Sequence, residues 1–150
     1  MEPSEDWQLL FKLVDKVFQH RQVRPQLTIK QVEHLHQAAR EQGACQFWVV
    51  YDAANNPHAA LWLYYDQSTA YNLLLGSDPI TRQSGAVPYL LWHAIRWAKE
   101  QGLNYFDFEG SHLPGVEPFF RSFGAQAWPY HEFVKGKKWL LALRQMRGKL

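Results

Sequence analysis

The chain predicts an α/β fold, a mixed sheet in which an antiparallel meander is followed by a parallel β-α-β crossover, with helices on both faces. Three observations predict it. Apolar and aromatic runs at 46–51, 58–65 and 69–75 are separated only by short polar turns, and strands joined that closely pair antiparallel. A long helical pattern at 87–101 then leads to the aromatic run 105–108, and a strand–helix–strand passage makes a right-handed crossover between parallel strands. Two amphipathic helical patterns precede the sheet. The predicted order is α-α-β-β-β-α-β-α-β-α.

In chain order, Ser4 is the expected N-cap of the first helix. Trp7, Leu10, Phe11, Val14 and Phe18 follow at three- and four-residue spacing, to about His20. Residues 21–26 form a polar connector. Thr28 is the next N-cap, and Ile29, Val32, Leu35, Ala38 and Ala39 repeat the helical spacing until Gly43 stops it. The turn 52–57, Asp-Ala-Ala-Asn-Asn-Pro, and the turn 66–68 join the three strands. Residues 76–86 are polar and loop-like. Pro88 must lie in the first turn of the long helix, where a missing N–H matters least, and Gly102 ends that helix. After the strand 105–108 come a short helix at 116–123 closed by Gly124, a strand at 127–134 and a closing helix at 137–147. There is no internal repeat, and 150 residues suit one domain.

Composition narrows the function. Hydrophobic residues make up 47% and charged residues 20% of the chain, a globular balance. A net charge of +2 is too small to argue for a nucleic-acid binder by itself. Cys45 is the only cysteine, so an internal disulfide and a cysteine metal cluster are excluded. The seven histidines include no His-Glu-x-x-His spacing, and there is no Gly-x-Ser-x-Gly elbow. No apolar run reaches the length of a membrane span, and the acidic start is unlike a signal peptide. A cytoplasmic protein is expected. The stretch 135–150 holds six Lys or Arg and no acid; it reads as a docked terminal helix with a solvated basic face, the alternative being a basic amphipathic helix that contacts tRNA phosphates or an anionic membrane surface.

The chemistry gathers in two stretches. Asp107 and Glu109 lie two apart on a strand, so both carboxylates point to one face. Glu109, at the strand end, is the better general base; Asp107 is suited to accept hydrogen bonds from loop amides. The second stretch is 82–86, Arg-Gln-Ser-Gly-Ala, at the start of the long helix, where free N–H groups and the helix dipole attract anions.

Four segments together resemble the GNAT acyltransferases, and within them the Fem-type transferases that build peptidoglycan cross-bridges from aminoacyl-tRNA. They are Leu-Leu-Leu-Gly-Ser-Asp-Pro (73–79), Arg-Gln-Ser-Gly-Ala (82–86), Tyr-Phe-Asp-Phe-Glu-Gly (105–110) and Pro-Gly-Val-Glu-Pro-Phe-Phe-Arg-Ser-Phe-Gly (114–124). The resemblance implies a single GNAT-like domain that moves an acyl or aminoacyl group from a thioester or tRNA ester to an amine. It implies acetyl-CoA or another acyl-CoA, or aminoacyl-tRNA, as donor, a small molecule or cell-wall precursor as acceptor, and no metal. Arg82, Gln83, Ser84, Gly85 and Ala86 would hold the donor. Glu109 would act as base and Tyr71 as the hydroxyl that protonates the leaving group. Asp107, Ser111, His112 and Arg121 would bind substrate. Two positions depart from the patterns: Val87 stands where GNAT enzymes usually carry Gly or Ala, and Phe120 where Fem-type proteins carry an active-site Lys. Both favour the alternative of a non-catalytic GNAT-like module that binds a substrate or partner. Fem-type enzymes carry two such domains, so a second GNAT-like domain, or a homodimer, is an expected partner, with tRNA another.

Overall fold

The computed structural model describes residues 2–4, 6–22, 27–109, 115–129 and 135. Two helices come first, α1 (Trp7–His20) and α2 (Ile29–Glu41), after a two-residue strand β1 (Glu2–Pro3). The meander is β2 (Cys45–Tyr51), β3 (Pro57–Tyr65) and β4 (Thr69–Ser77). A 3-10 helix (Pro79–Ser84) leads into α3 (Ala86–Glu100), then β5 (Tyr105–Asp107) and α4 (Glu117–Arg121). The strands form one sheet in the order β1-β2-β3-β4-β5. All neighbours are antiparallel except β4 and β5, which run parallel. The meander and the crossover therefore stand as the sequence predicts.

Local chemistry explains the element ends. Thr28 caps α2 with a full capping box: its hydroxyl accepts from the Gln31 N–H while the Gln31 side chain accepts from the Thr28 N–H. Ser4 does not cap α1. Asp6 does, accepting from the Leu9 N–H at 2.9 Å, and the Ser4 hydroxyl instead accepts from the Asp6 N–H. Ser4 is drawn to the sheet because its own N–H donates to the Phe47 carbonyl, continuing β1 along β2. At 76–86 the sequence reading expects an irregular loop. Asp78 instead starts the 3-10 helix by accepting from the Ile80 N–H, and Lys16 of α1 donates to Asp78 at 2.5 Å. The short helix is confined to Glu117–Arg121, with Gly124 closing the following turn at φ 85°. Residues 125–129 are irregular rather than strand; the rest of the strand expected at 127–134, apart from those residues, and the closing helix at 137–147 lie outside the described residues.

The sheet is clad on both faces. On one, Leu10, Leu13 and Val14 of α1 and Val32 and Ala39 of α2 pack against Phe47, Val49, Ala60 and Trp62. On the other, Leu90, Leu91, Ala94 and Ala98 of α3 pack against Trp48, Ala59, Leu61, Leu63 and Ala70. The alternation along β3 sends Leu61 and Leu63 to one side and Ala60 and Trp62 to the other, as the pleat requires. Phe119, Phe120 and Phe123 pack against the α3-side core, where Phe108 stacks on Phe120 with ring centres 4.8 Å apart. They are core side chains. No helix among the described residues is long and apolar enough to cross a membrane.

Two turn aspartates tie the meander to pH. The Asp66 carboxylate accepts from the N–H groups of Ser68 and Thr69 and from the Tyr71 hydroxyl, and these bonds, Ser68 first, hold its pKa below the ordinary 3.8. Asp52 is lowered in the same way, chiefly by the Asn56 side chain. A carboxylate whose pKa is depressed on folding stabilises the fold above its unfolded pKa, and that contribution is lost as pH falls through the folded value. Thermal melting should therefore drop steeply on acidification below about pH 4. Asp66→Asn should melt lower than the parent at pH 7 and approach it near pH 2, by circular dichroism. Parallel melting curves across that range would count against the role of the Asp66 cap.

Candidate functional site

The sheet opens between β4 and β5. The parallel pairing covers only Thr69 to Tyr71 against Tyr105 to Asp107. From Asn72 onward β4 has no partner on that side among the described residues. A β-bulge sits at this point: Trp62 faces Leu74 and Leu63 faces Asn72, so Leu73 is the extra residue and its peptide leaves the β3 ladder. Bulges bend a strand and re-aim its backbone, and they concentrate beside active sites. Asn72, at the mouth of the opening, is only 6% exposed, and its Oδ1 has no hydrogen-bond partner among the described residues. A buried, unmade acceptor of this kind costs roughly 1–3 kcal/mol.

The loop after β4 delivers the start of α3. Gly85 takes the left-handed conformation, φ 74° and ψ 6°, which turns the chain from the 3-10 helix into α3. No side chain caps α3 at Gly85. Ala86 donates its N–H to the Ser84 hydroxyl at 3.3 Å, and the first backbone bond of α3 is from Tyr89 to Gly85. The N–H groups of Gly85 and Val87 have no partner among the described residues, and Pro88 has no N–H at all. The helix start thus presents unbonded donors and the positive end of its dipole. Val87 does not obstruct it, because its side chain packs against the α3-side core. A cleft of about 280 Å³ lies beside this turn, walled by Val50, Tyr51, Asp52 and His58 of the meander and by Tyr89. Asp52 in that wall faces His58, with Nε2 to Oδ2 at 3.4 Å. Arg82 and Gln83 are exposed on the 3-10 helix.

Past β5 the chain makes a strained turn. Glu109 is a non-glycine residue at φ 60°, a left-handed conformation that costs roughly 1 kcal/mol or more. Its N–H donates to the Asp107 carboxylate at 2.7 Å, the loop-ordering role the sequence gives Asp107. The Glu109 carboxyl is raised above its ordinary 4.5, first by partial burial and then by the Asp107 charge. By area the residue is exposed, so the shift is that of a group half in water.

The model of the acetyltransferase (GNAT) domain matches residues 2–121. The chain belongs to the GNAT acetyltransferase family. Solved structures agree in fold. A Clostridium acetobutylicum protein described as a predicted acetyltransferase, solved with acetyl-CoA, superposes with a TM-score of 0.71 at 14% identity, over 89% of this chain and 94% of that one. An aminoglycoside acetyltransferase from an uncultured soil metagenomic sample, in complex with sisomicin, gives 0.66 at 18% identity, over 91% and 95%. The apo aminoglycoside 6'-N-acetyltransferase of Acinetobacter haemolyticus gives 0.63 at 17% identity, over 91% and 97%. Comparison with curated protein sequences finds no match.

Within this GNAT domain the residues singled out from sequence fall into two groups. Arg82 to Ala86 stand together at the start of α3. Tyr71, Asp107 and Glu109 stand at the closed end of the strand opening; Tyr71 is six residues from Ser77, about 20 Å along β4. The Tyr71 hydroxyl is occupied, donating to Asp66 at 2.9 Å, and that bond is the main cause of its raised pKa. Arg121 pairs with Glu117 one turn back on α4 through Nε at 2.8 Å and through its Nη2. That is an exposed pair worth a few tenths of a kcal/mol, about 0.3–0.5. Ser111 and His112 lie outside the described residues.

Sequence reasoning passed over two features of the site. One is the buried Asn72 acceptor beside the Leu73 bulge; a lone Asn inside an apolar strand was the available signal. The other is a second hollow, about 270 Å³ and almost wholly apolar, between α2 and the sheet. It exists because α2 buries only Val32 and Ala39 and leaves Leu35 at its rim 42% exposed.

Proposed function

We propose that this chain is a GNAT N-acyltransferase that moves an acyl group from a coenzyme A thioester to a primary amine. The observation that carries this reading is the uncapped start of α3 at Gly85, whose free N–H groups suit the diphosphate of such a donor. The solved GNAT neighbour that holds acetyl-CoA supports the same donor. The aminoglycoside acetyltransferases among the neighbours support an amine acceptor. An aminoacyl-tRNA donor of the Fem type has less support, because Phe120, in the place of the Fem lysine, is packed against Phe108 and offers no cation.

The chain's groups have distinct parts in this reading. The Gly85 and Val87 amides hold the phosphates. Asn72 Oδ1 accepts from an amide N–H of the donor's pantetheine arm as it enters beside β4. The unpaired backbone at Leu73 stabilises the oxyanion that develops on the thioester carbonyl. Glu109 takes the proton from the amine nitrogen as the carbon–nitrogen bond forms and the carbon–sulfur bond breaks.

Calorimetric titration with acetyl-CoA tests the donor: saturable binding in the micromolar range is expected, and no heat would overturn the reading. Asn72→Leu should weaken that binding about tenfold while leaving melting unchanged or higher, since the variant removes an unmade buried acceptor. A lower melting temperature with unaltered binding would make Asn72 purely structural. Glu109→Gln should lower kcat by roughly a hundredfold. As a base, Glu109 works ionised, so the parent's rate should rise with pH through a limb above the ordinary 4.5, and the variant should lack that limb. Asp107→Asn removes the neighbouring charge and should move the limb to lower pH. An unmoved limb would release Glu109 from the role.

A further inference from the structure

The apolar hollow and the Asp107 carboxylate at the end of β5 lie on one face of the sheet, with Glu109 two residues on, and their spacing describes an acceptor. The hollow is walled by Leu35, Ala38 and Gln42 of α2, by Trp62 and Tyr64 of β3, and by Leu73, the bulge residue of β4. It therefore reaches the point on β4 where the transfer chemistry is placed. Among the described residues no Lys, Arg, Asp or Glu lines it. Trp62 is 1% exposed, and its indole N–H is buried without a partner.

From the rim of this hollow a row of side chains crosses the sheet. Tyr64 pairs with Tyr71, and Tyr71 pairs with Asp107. Residues in one row of a sheet project to the same face, and two strand spacings separate Tyr64 from Asp107 by about 10 Å. The Tyr64 and Tyr71 rings are 6.3 Å apart, so the path between is aromatic. Tyr71 is held in place by its bond to Asp66. At the far end stand Asp107 and Glu109, negative groups with no cationic partner of their own among the described residues.

We propose that this row and the hollow form the acceptor site, and that the acceptor is a primary amine carrying an aromatic or branched aliphatic body. The ammonium group lies at Asp107 and Glu109, the chain follows the Tyr71 and Tyr64 rings, and the body fills the space under α2. Aromatic faces favour a cation and an apolar chain alike. A polyhydroxylated polycation would leave its hydroxyl groups unpaired against Leu35, Ala38 and Leu73. This assignment rests on the acyltransferase reading above and adds to it the class of amine.

Two amines test it: 4-phenylbutylamine, which carries a ring, and 2-(2-aminoethoxy)ethanol, which carries a polar chain. In 1H–15N spectra of the 15N-labelled protein, the phenyl amine is expected to shift the Trp62 indole resonance and the Leu73 amide saturably, and the ether amine is not. With acetyl-CoA as donor, kcat/KM should favour the phenyl amine by about ten- to a hundredfold, the value of burying one ring. Ala38→Trp, which fills the hollow from an exposed position on α2, should reduce that ratio to near unity. Absence of a Trp62 shift, or equal kcat/KM for the two amines, would overturn the acceptor site. If acetyl-CoA binds by calorimetry and the phenyl amine moves nothing, the acceptor assignment alone falls. If the phenyl amine shifts Trp62 and acetyl-CoA gives no heat, the acceptor site stands and the donor reading falls.

Discussion

Gly76→Ala is expected to lower the melting temperature by about 2–12 °C, and Gly76→Val to leave little folded protein at 37 °C. Gly76 lies inside β4, opposite Ala60, with α1 crossing directly above it. A Cβ built there would stand 2.5 Å from the Val14 nitrogen and 2.7 Å from the Leu13 carbonyl carbon. These are main-chain atoms, so no side chain can rotate aside. Helix α1 would have to lift, and it carries Leu10, Leu13 and Val14, all nearly fully buried. Overpacking of this kind costs about 1–3 kcal/mol and sometimes more. For a domain near 150 residues each kcal/mol is worth about 2–4 °C. Valine adds two further carbons to the same space, against a total stability of roughly 5–15 kcal/mol. Thermal and urea melts measure both. A Gly76→Ala protein that melts within a degree of the parent would mean that α1 does not approach β4 this closely.

The second large effect separates charge from shape at the start of α3. Gly85 sits at φ 74° with open space where a Cβ would stand, so a side chain there meets no neighbour and pays only for the left-handed backbone. Asn and Asp carry that strain about equally, and Asn tolerates it best among residues with a side chain. Asp also favours a helix start through the dipole. Gly85→Asp and Gly85→Asn should therefore fold comparably. They should differ in donor binding: a carboxylate about 6 Å from a phosphate repels it by roughly 2–3 kcal/mol at an effective dielectric near 20. The acetyl-CoA Kd of Gly85→Asp should exceed that of Gly85→Asn by about thirty- to a hundredfold at low salt, narrowing as salt rises. Equal Kd values for the pair would remove the donor's phosphates from this turn.

What the residues disclosed in advance, and what they did not, follows from range. The capping box that Thr28 forms with Gln31 lies within four residues, and Thr28 is legible as a helix start. So are the turn at Asp52 and the helix ends at Gly43, Gly102 and Gly124, each at positive φ. Asp107, suited by its sequence to accept from loop amides, accepts from the Glu109 N–H two residues on. The anion-binding stretch 82–86 was read because it combines a polar loop with a helix start. The 3-10 helix at Pro79–Ser84 was not, since six residues without an apolar period look like any loop. Gly76 reads as the first residue of that loop; only the crossing of α1 shows that it belongs to β4. The bulge at Leu73 hides in the uniform run Leu73-Leu74-Leu75, where periodicity carries no register. The bond from Tyr71, the expected proton donor, to Asp66 is not legible in the sequence because the shape of the turn fixes that partner. The hollow under α2 needs the placement of a whole helix over the sheet, which no local pattern encodes.

The shortest element has a consequence for how the protein behaves in concentrated solution. Strand β1 contributes two residues to the sheet, yet it lies along the outer side of β2, and Ser4 extends the ladder by one more bond. Without it, β2 would offer a seven-residue apolar edge, Cys45–Tyr51, to any other extended chain. The cover itself includes Pro3, which has no N–H to give to a further strand. From Phe47 to Val49 this flank of the sheet is thus covered rather than open, which discourages copies of the protein from joining along it into fibrils.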